Sequence, residues 1–154
     1  MFLYSQPKVA VKDFRVISTL DDSYTDGIFK LAVDVRNHAL AGKKMQVLYE
    51  LIDKVSGRVV VNGVSDCKVK SAETQTVAFN ASLPGVKTWT SEAPNLYKLL
   101  ITLKEGSEVT EIIPFNVGFR RIEIKAIDQI AKKGKPYVVL LINGCLLYTS
   151  PSPR

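Results

Sequence analysis

Apolar and polar residues alternate along several stretches of this chain, and the alternation constrains its fold more than any other feature. Successive side chains of a β-strand point to opposite faces, so an alternating stretch has one face for a core and one for water. The pattern is clear at residues 29–36, 45–52, 76–80 and 97–104. Stretches of this kind are typical of antiparallel sheets with one buried face.

Turn-forming residues separate the alternating stretches. Glu105-Gly106 lies between two of them and predicts a hairpin. Pro114 lies in the next apolar stretch and has no N–H for a ladder hydrogen bond, so it predicts an edge strand or a bulge. Further turns are predicted at Asp21–Gly27, Ala41-Gly42, Ser56-Gly57, Asn62-Gly63 and Pro84-Gly85.

The number and spacing of these elements predict the fold class. They give about seven short strands, and only residues 127–132 would suit a short helical turn. We therefore expect an all-β protein, an immunoglobulin-like antiparallel β-sandwich. The Cys…Trp…Cys pattern of antibody domains is absent from the sequence, so apolar packing alone would hold the sheets together.

The composition excludes several classes of protein. Apolar residues make up 46% of the 154 residues and charged residues of both signs 23%, which suits one domain with a buried core. The net charge is +6, but the Lys and Arg residues are scattered along the chain. The one dense basic run, residues 132–135, contains no aromatic residue, whereas a nucleic-acid-binding surface would have aromatic residues between its cations. No apolar run approaches the ~20 residues of a membrane-spanning helix. We expect neither a nucleic acid nor a membrane as partner.

The chain has few residues that could bind a metal ion or act in a catalytic triad. Cys67 and Cys145 lie in neither a CxxC pattern nor a metal-ligand spacing. His38 is the single histidine, so a histidine-based zinc site or a Ser-His-Asp triad is not expected. His38 follows a predicted strand, and we interpret it as a turn residue. The sequence predicts no bound metal and no cofactor in this chain.

Two stretches carry a more specific residue pattern than a generic β-sandwich requires. The first is Trp89-Thr-Ser-Glu-Ala-Pro-Asn-Leu-Tyr97, and the second is Val117-Gly-Phe-Arg120, followed later by Asn143-Gly144. Together, at this spacing, they resemble the second domain of family 2 glycoside hydrolases, the group of bacterial β-galactosidases, β-mannosidases and β-glucuronidases. The resemblance covers residues 2–144. The opening, Leu3 to Val16, is similar to the start of that domain in the β-galactosidases of the group.

The resemblance implies a domain organisation. Residues 1–8 would be the end of a preceding jelly-roll sugar-binding domain or a linker from it, and residues 9–120 the immunoglobulin-like domain. Residues 121–144 would begin the segment that leads into a (β/α)8 barrel, which carries both catalytic glutamates in this family. After Asn143-Gly144 the sequence departs from the family pattern, and its last nine residues resemble a translated sequencing adapter. We expect residues 145–154 to be a non-native tail.

Four residues of these stretches are candidates for contacts between domains: Trp89, Tyr97, Phe119 and Arg120. Trp89 offers a large apolar area and one N–H donor, which favours packing at the end of the sandwich over a platform for a sugar. The guanidinium of Arg120 suits a carboxylate or carbonyls at a domain boundary better than a substrate. Gly118 predicts a bend or a close approach of the backbone.

The carboxylates offer no catalytic pair. A retaining glycosidase needs two carboxyl groups about 5 Å apart on either side of the bond. Glu123 alternates with Ile122 and Ile124, so the pattern predicts a strand position and an outward ion pair. We expect no catalytic residue in this chain.

The function implied by the resemblance is that of a non-catalytic linker or scaffold domain from a truncated retaining β-galactosidase. The parent enzyme would hydrolyse terminal non-reducing β-D-galactosides, and this chain alone would be inactive. Its partners would be the sugar-binding and barrel domains of the same polypeptide, and Mg, Na or Ca would belong to the barrel. Two alternatives stay open: a β-glucuronidase or β-mannosidase of the same layout, and a stand-alone sandwich that binds carbohydrate or protein. The parent's compartment, cytoplasmic or periplasmic, is not indicated.

Overall fold

Ten β-strands make up the regular structure of the part of the chain that is described. The computed structural model describes residues 5–127 and 137–147. The strands are β1 (Val9–Leu20), β2 (Gly27–Asn37), β3 (Lys43–Asp53), β4 (Val59–Val69), β5 (Thr74–Leu83), β6 (Tyr97–Glu105), β7 (Glu108–Val117), β8 (Ile122–Ile127), β9 (Tyr137–Ile142) and β10 (Cys145–Leu146). No helix occurs in these described ranges, and so none that could cross a membrane. Ile127 ends β8, and the rest of the predicted helical turn lies outside the described residues.

Seven of the strands form a two-layer sandwich. One layer is a three-stranded sheet in the order β1-β2-β5, and the other is a four-stranded sheet in the order β4-β3-β6-β7. Neighbouring strands are antiparallel throughout. The prediction of an all-β, immunoglobulin-like sandwich of about seven strands is therefore confirmed.

The remaining strands form a small third sheet in the order β10-β9-β8. Its β8 begins five residues after β7 ends at Val117, so the chain passes directly from one end of the sandwich into this sheet. Cys145 and Leu146 pair with Ile142 and Leu141. Both residues belong to the tail that we predicted to be non-native, and that origin stays a prediction.

The core lies between the two layers and uses one face of each alternating stretch. Side chains two residues apart share a face of a strand, so every second residue reaches the opposite sheet. Each fully buried Val or Leu contributes roughly 1.5–3 kcal/mol. The inward residues, each 3% exposed or less, are Phe29, Leu31, Val33, Val35, Met45, Val47, Tyr49, Leu51, Leu99, Ile101 and Leu103.

Pro114 lies where its chemistry predicts. It is in β7, the outer strand of the four-stranded sheet, opposite Leu100 of β6. An edge strand leaves one row of backbone groups unpaired, so a residue without an N–H is tolerated there. The register shift in this strand pair falls at Leu103/Lys104, away from the proline. The prediction of an edge strand is confirmed, and the alternative, a bulge at Pro114, does not occur.

The turn predicted at Asn62-Gly63 is wrong, because both residues lie inside the continuous strand β4. Gly63 is opposite Tyr49 of β3. A Cβ on Gly63 would lie 2.5 Å from Cε1 of the tyrosine ring. The glycine therefore makes room for an aromatic ring of the core, which is the other common reason for glycine in a strand.

His38 occupies the exposed bend after β2, as we predicted for a turn residue. Its backbone N–H donates to the carbonyl oxygen of Lys8 at 2.7 Å. The preceding Asn37 is fully buried, and its side-chain amide donates to the carbonyl oxygens of Ala41 and Val69. The buried polar side chain is thus satisfied, as a stable core requires.

Replacing Gly27 with alanine is expected to lower the free energy of unfolding by about 1–3 kcal/mol. The new Cβ would lie 2.8 Å from Cγ1 of Val86 and 2.9 Å from the ring of Phe119, so the core would have to shift. Gly42→Ala is the matched control, since its Cβ would meet nothing closer than 3.6 Å. Urea unfolding followed by the fluorescence of Trp89 measures both, and equal losses would contradict the tight packing.

Candidate functional site

The residues singled out by the sequence meet at one end of the sandwich, which we call the junction. There the connection between β5 and β6 runs beside the segment that leaves β7. Thr88 and Phe119 form an isolated parallel bridge. The backbone N–H of Trp89 donates to the carbonyl oxygen of Phe119 at 2.8 Å. Two stretches about thirty positions apart in the sequence are thereby held together.

The Trp-x-x-x-x-Pro-Asn pattern closes a compact loop at the junction. Trp89 and Pro94 form an isolated antiparallel bridge. The side-chain amide of Asn95 donates to the carbonyl oxygen of Thr88 at 3.0 Å. Asn95 therefore satisfies a backbone group in a turn, as its residue type predicts.

Tyr97 and Phe119 form the buried floor of the junction. Their exposed fractions are 4% and 0%, and their ring centroids lie 5.4 Å apart in an edge-to-face arrangement. The hydroxyl of Tyr97 accepts a hydrogen bond from the N–H of Lys87 at 2.9 Å. Both side chains thus pack within the domain, and contact of either with a neighbouring domain stays a prediction.

Trp89 and Arg120 form the accessible part of the junction. The guanidinium carbon of Arg120 lies 4.8 Å from the centroid of the half-buried Trp89 ring, a cation–π arrangement. Gly118 lies beneath the indole, whose nearest atoms would be 3.2 Å from a Cβ at this position. The predicted close approach of the backbone at Gly118 is confirmed. Of the four candidates for contacts between domains, Trp89 and Arg120 keep exposed surface.

A concavity of about 520 Å³, which we call the groove, opens beside this pair. It lies between the edge strands β1 and β7. The hydroxyl of Ser18 donates to the carbonyl oxygen of Gly118 at 2.9 Å and ties the two edges together. Phe14 and Phe115 stack edge to face across the same gap at 5.3 Å. The groove is lined by Val16, Ser18, Trp89, Leu96, Phe115, Arg120 and Ile122, among others.

Asn143 fastens the small sheet to the junction. Its backbone has a φ of 51°, a left-handed conformation that asparagine tolerates. Its backbone N–H donates to the carbonyl oxygen of Arg121, and its Oδ1 accepts from the N–H of Arg121, both at 2.8 Å. Its Nδ2 donates to the carbonyl oxygen of Trp89 at 3.0 Å. One side chain therefore links the small sheet, the segment leaving β7 and the loop of Trp89.

Tyr24 is a residue of the junction that the sequence reasoning missed. It lies in the connection between β1 and β2 with a φ of 58°. Its ring packs against Gly144, where a Cβ would lie 3.1 Å from the ring. Its hydroxyl donates to Glu123 at 2.6 Å. An aromatic residue in an otherwise polar turn was the one signal in the sequence that pointed to it.

Glu123 makes ion pairs, but it points toward Tyr24 and not freely into solvent. Its carboxylate lies 3.1 Å from Arg121 and 3.8 Å from Lys125, and Arg121 also pairs with Asp22 at 2.7 Å. The hydrogen bond from Tyr24 and the nearby cations lower the pKa of Glu123, and the same hydrogen bond raises the pKa of Tyr24. A carboxylate engaged in this way is ionised and fixed in place.

The charged groups of the junction form a structural network. Within residues 5–127 and 137–147, no group of three or more His, Cys, Asp or Glu side chains is placed to hold a metal ion. The carboxylates of Asp22 and Glu123 are both taken up by Arg121. The ion pairs hold the guanidinium of Arg121 between the β1–β2 connection and β8.

Comparison with known proteins gives a family and a fold. The family model described as glycosyl hydrolases family 2 matches residues 9–120. A β-galactosidase large subunit from Lactobacillus helveticus is 31% identical over 140 residues, covering 90% of this chain and 20% of that protein. A β-galactosidase from Klebsiella pneumoniae (strain 342) is 28% identical over 146 residues, covering 93% of this chain and 14% of that protein.

A solved structure extends the comparison to the fold. The crystal structure of a Bacteroides uniformis β-glucuronidase superposes with a TM-score of 0.76 at 14% sequence identity. The superposition covers 91% of this chain and 16% of that chain. This chain therefore spans a fifth or less of each of the three proteins.

Replacing Asn143 with alanine is expected to lower the free energy of unfolding by about 1–3 kcal/mol, because the N–H of Arg121 and the carbonyl of Trp89 lose their partners. Amide exchange at Arg121 and in β9 is expected to rise more than in β6. Asn62→Ala in β4 is the control, since Asn62 is an exposed strand residue. Hydrogen exchange and urea unfolding measure both variants, and an unchanged Arg121 amide would contradict this role of Asn143.

Replacing Glu123 with glutamine is expected to flatten the dependence of stability on pH in the acid range. The lowered pKa of Glu123 contributes stability that is complete above about pH 4.5 and is lost as the pH falls through the folded-state value. Thermal unfolding between about pH 6 and about pH 3 would show the difference. Glu92→Gln, at an exposed site, serves as the control. A steeper loss in Glu123→Gln than in the unaltered chain would overturn the assignment.

Proposed function

Because the chain belongs to glycosyl hydrolases family 2, we propose that it is the non-catalytic immunoglobulin-like domain of a retaining β-galactosidase. In this proposal the domain spaces and orients a sugar-binding domain against a catalytic barrel in the same polypeptide. The observation that carries the proposal is the extent of the family match. Residues 9–120 coincide with the sandwich from the start of β1 to the junction.

The geometry of the junction supports a role in connection. Its hydrogen bonds join the loop of Trp89, the turn of Tyr24 and the segment that leaves β7. Its ion pairs are made between neighbouring elements of the chain itself. Retaining hydrolysis needs two free carboxyl groups about 5 Å apart, and in this proposal they belong to the rest of the longer protein. Any Mg, Na or Ca ion would lie there as well.

The choice of substrate class follows the names of the sequence relatives. The proteins from Lactobacillus helveticus and Klebsiella pneumoniae are both β-galactosidases. The β-glucuronidase from Bacteroides uniformis is 14% identical, a level that supports a shared fold and not a shared substrate. We therefore propose terminal β-galactosides as the substrates of the longer protein.

The purified chain is expected to show no hydrolysis of a chromogenic β-galactoside above the rate in buffer, because the proposal gives it no catalytic carboxylate. The Klebsiella pneumoniae β-galactosidase, assayed at equal molar concentration, provides the positive control. Turnover by the chain that disappears in a single Glu→Gln variant, such as Glu123→Gln, would overturn the proposal. A trace activity that every such variant retains identifies a contaminant and leaves the chain inactive, as expected.

A further inference from the structure

Strand β5 leaves one edge of the three-stranded sheet open. It pairs with β2 on one side, and no strand in the described part of the chain pairs with its other side. Outside the strand pairs, no backbone–backbone hydrogen bond among the described residues involves β5. The outer row of N–H and C=O groups on β5 can therefore pair with a strand of another molecule.

The sequence of β5 lacks the features by which edge strands usually avoid such pairing. Its ten residues, Thr74 to Leu83, contain no charged residue, no proline and no glycine. Its register with β2 runs without a shift from Thr74 opposite Arg36 to Leu83 opposite Gly27. Charged side chains, proline and bulges are the usual obstacles to the addition of a strand, and β5 has none of them.

The other three edge strands of the sandwich, β1, β4 and β7, do carry these obstacles. Each has a register shift against its neighbour, at Val11/Asp13 for β1, Leu51/Ile52 for β4 and Leu103/Lys104 for β7. Each also has at least two charged residues. These are Lys12, Asp13 and Arg15 in β1, Asp66 and Lys68 in β4, and Glu108 and Glu111 in β7.

We propose that β5 pairs antiparallel with β5 of a second copy of this chain, so that the two three-stranded sheets join edge to edge across a two-fold axis. An uncharged strand can lie opposite itself without bringing like charges together, which would be unfavourable in a strand pair. Pairing of β5 with β1, β4 or β7 of another copy would meet the charges and register shifts of those strands. This inference goes beyond the proposed function and does not depend on it.

The symmetry of the contact limits the assembly to two copies. In a two-fold contact both copies use the same surface, so the open edge of β5 is occupied in each of them. The remaining edges of the sandwich are the three that carry obstacles. The expected product is therefore a closed dimer.

Ala78 offers a position at which the edge can be altered without altering the core. It is exposed near the middle of β5, opposite Ala32 of β2. Its two neighbours face the core: Val77 is 7% exposed, and Phe79 packs against the buried residues. A lysine at position 78 would place a charge of each copy along the shared edge.

Sedimentation of the purified chain tests the dimer. The ratio of dimer to monomer is expected to rise with protein concentration over an about 100-fold range. A reducing agent excludes a disulfide through the exposed Cys145. Ala78→Lys is expected to raise the dissociation constant of the dimer roughly 10-fold.

The matched control is Ile112→Lys, which adds the same charge to the edge strand β7. Ile112 is 56% exposed and lies opposite the uncharged Thr102. This variant is expected to leave the dissociation constant within about 2-fold of that of the unaltered chain, because β7 takes no part in the proposed contact.

Amide hydrogen exchange in the unaltered chain locates the contact. Alternate N–H groups of a strand point to the same edge, so every second amide of β5 is expected to exchange more slowly as the protein concentration rises. The amides of β7 are expected to exchange at a rate that does not depend on concentration. This measurement decides the inference even if Ala78→Lys weakens the fold.

Three results would overturn the pairing of β5. The first is a chain that sediments as a monomer at every concentration. The second is a dimer in which the exchange of the β5 amides does not change with concentration. The third is an equal loss of dimer in Ala78→Lys and Ile112→Lys, which would assign the effect to net charge or to another surface.

Discussion

Burial of one aromatic side chain, Phe119, is the interaction on which the end of this sandwich depends. The ring is fully buried and lies beside Tyr97 and the backbone at Gly27, so the segment that leaves β7 cannot separate from the core without exposing it. The buried ring fixes the positions of the residues around it. The carbonyl of Phe119 accepts from Trp89, and Arg120, one residue on, lies over the indole. Side chains at the surface are thereby ordered by a residue that is not at the surface.

The alternation of the sequence predicted β2, β3, β5 and β6, because each has one face on the core and one in water. Two strands of the sandwich were less visible, for physical reasons. In β4, Gly63 makes room for the ring of Tyr49. The sequence alone does not distinguish a glycine required by such a contact from a glycine required by a turn. In β1, a register shift between Val11 and Asp13 changes which residues face inward, so the alternation is broken.

The candidate site, too, was predictable from the sequence only in part. The local patterns of Trp89 to Tyr97 and Val117 to Arg120 indicated the right segments, and the close approach at Gly118 followed from its residue type. The alternation over residues 97–104 put Tyr97 on the inward face of its strand, and it lies in the core. The burial of Phe119, which follows the end of β7, was not predictable from the pattern. The links made by Asn143 and Tyr24 join residues 54 and 99 positions away. Contacts of that range depend on how whole elements pack, and no short stretch of sequence encodes them.

Pro114 has a consequence for the behaviour of the molecule in concentrated solution. The outer edge of a sheet offers a row of N–H and C=O groups onto which the strand of another molecule can add, and this is a common start of aggregation. At Pro114 the row in β7 lacks a donor, and the shift near Leu103 bends the same strand a few residues away. Intermolecular extension of the four-stranded sheet along β7 is therefore interrupted at two points. The residue that marks an edge in the sequence also removes one of the donors that an added strand would need.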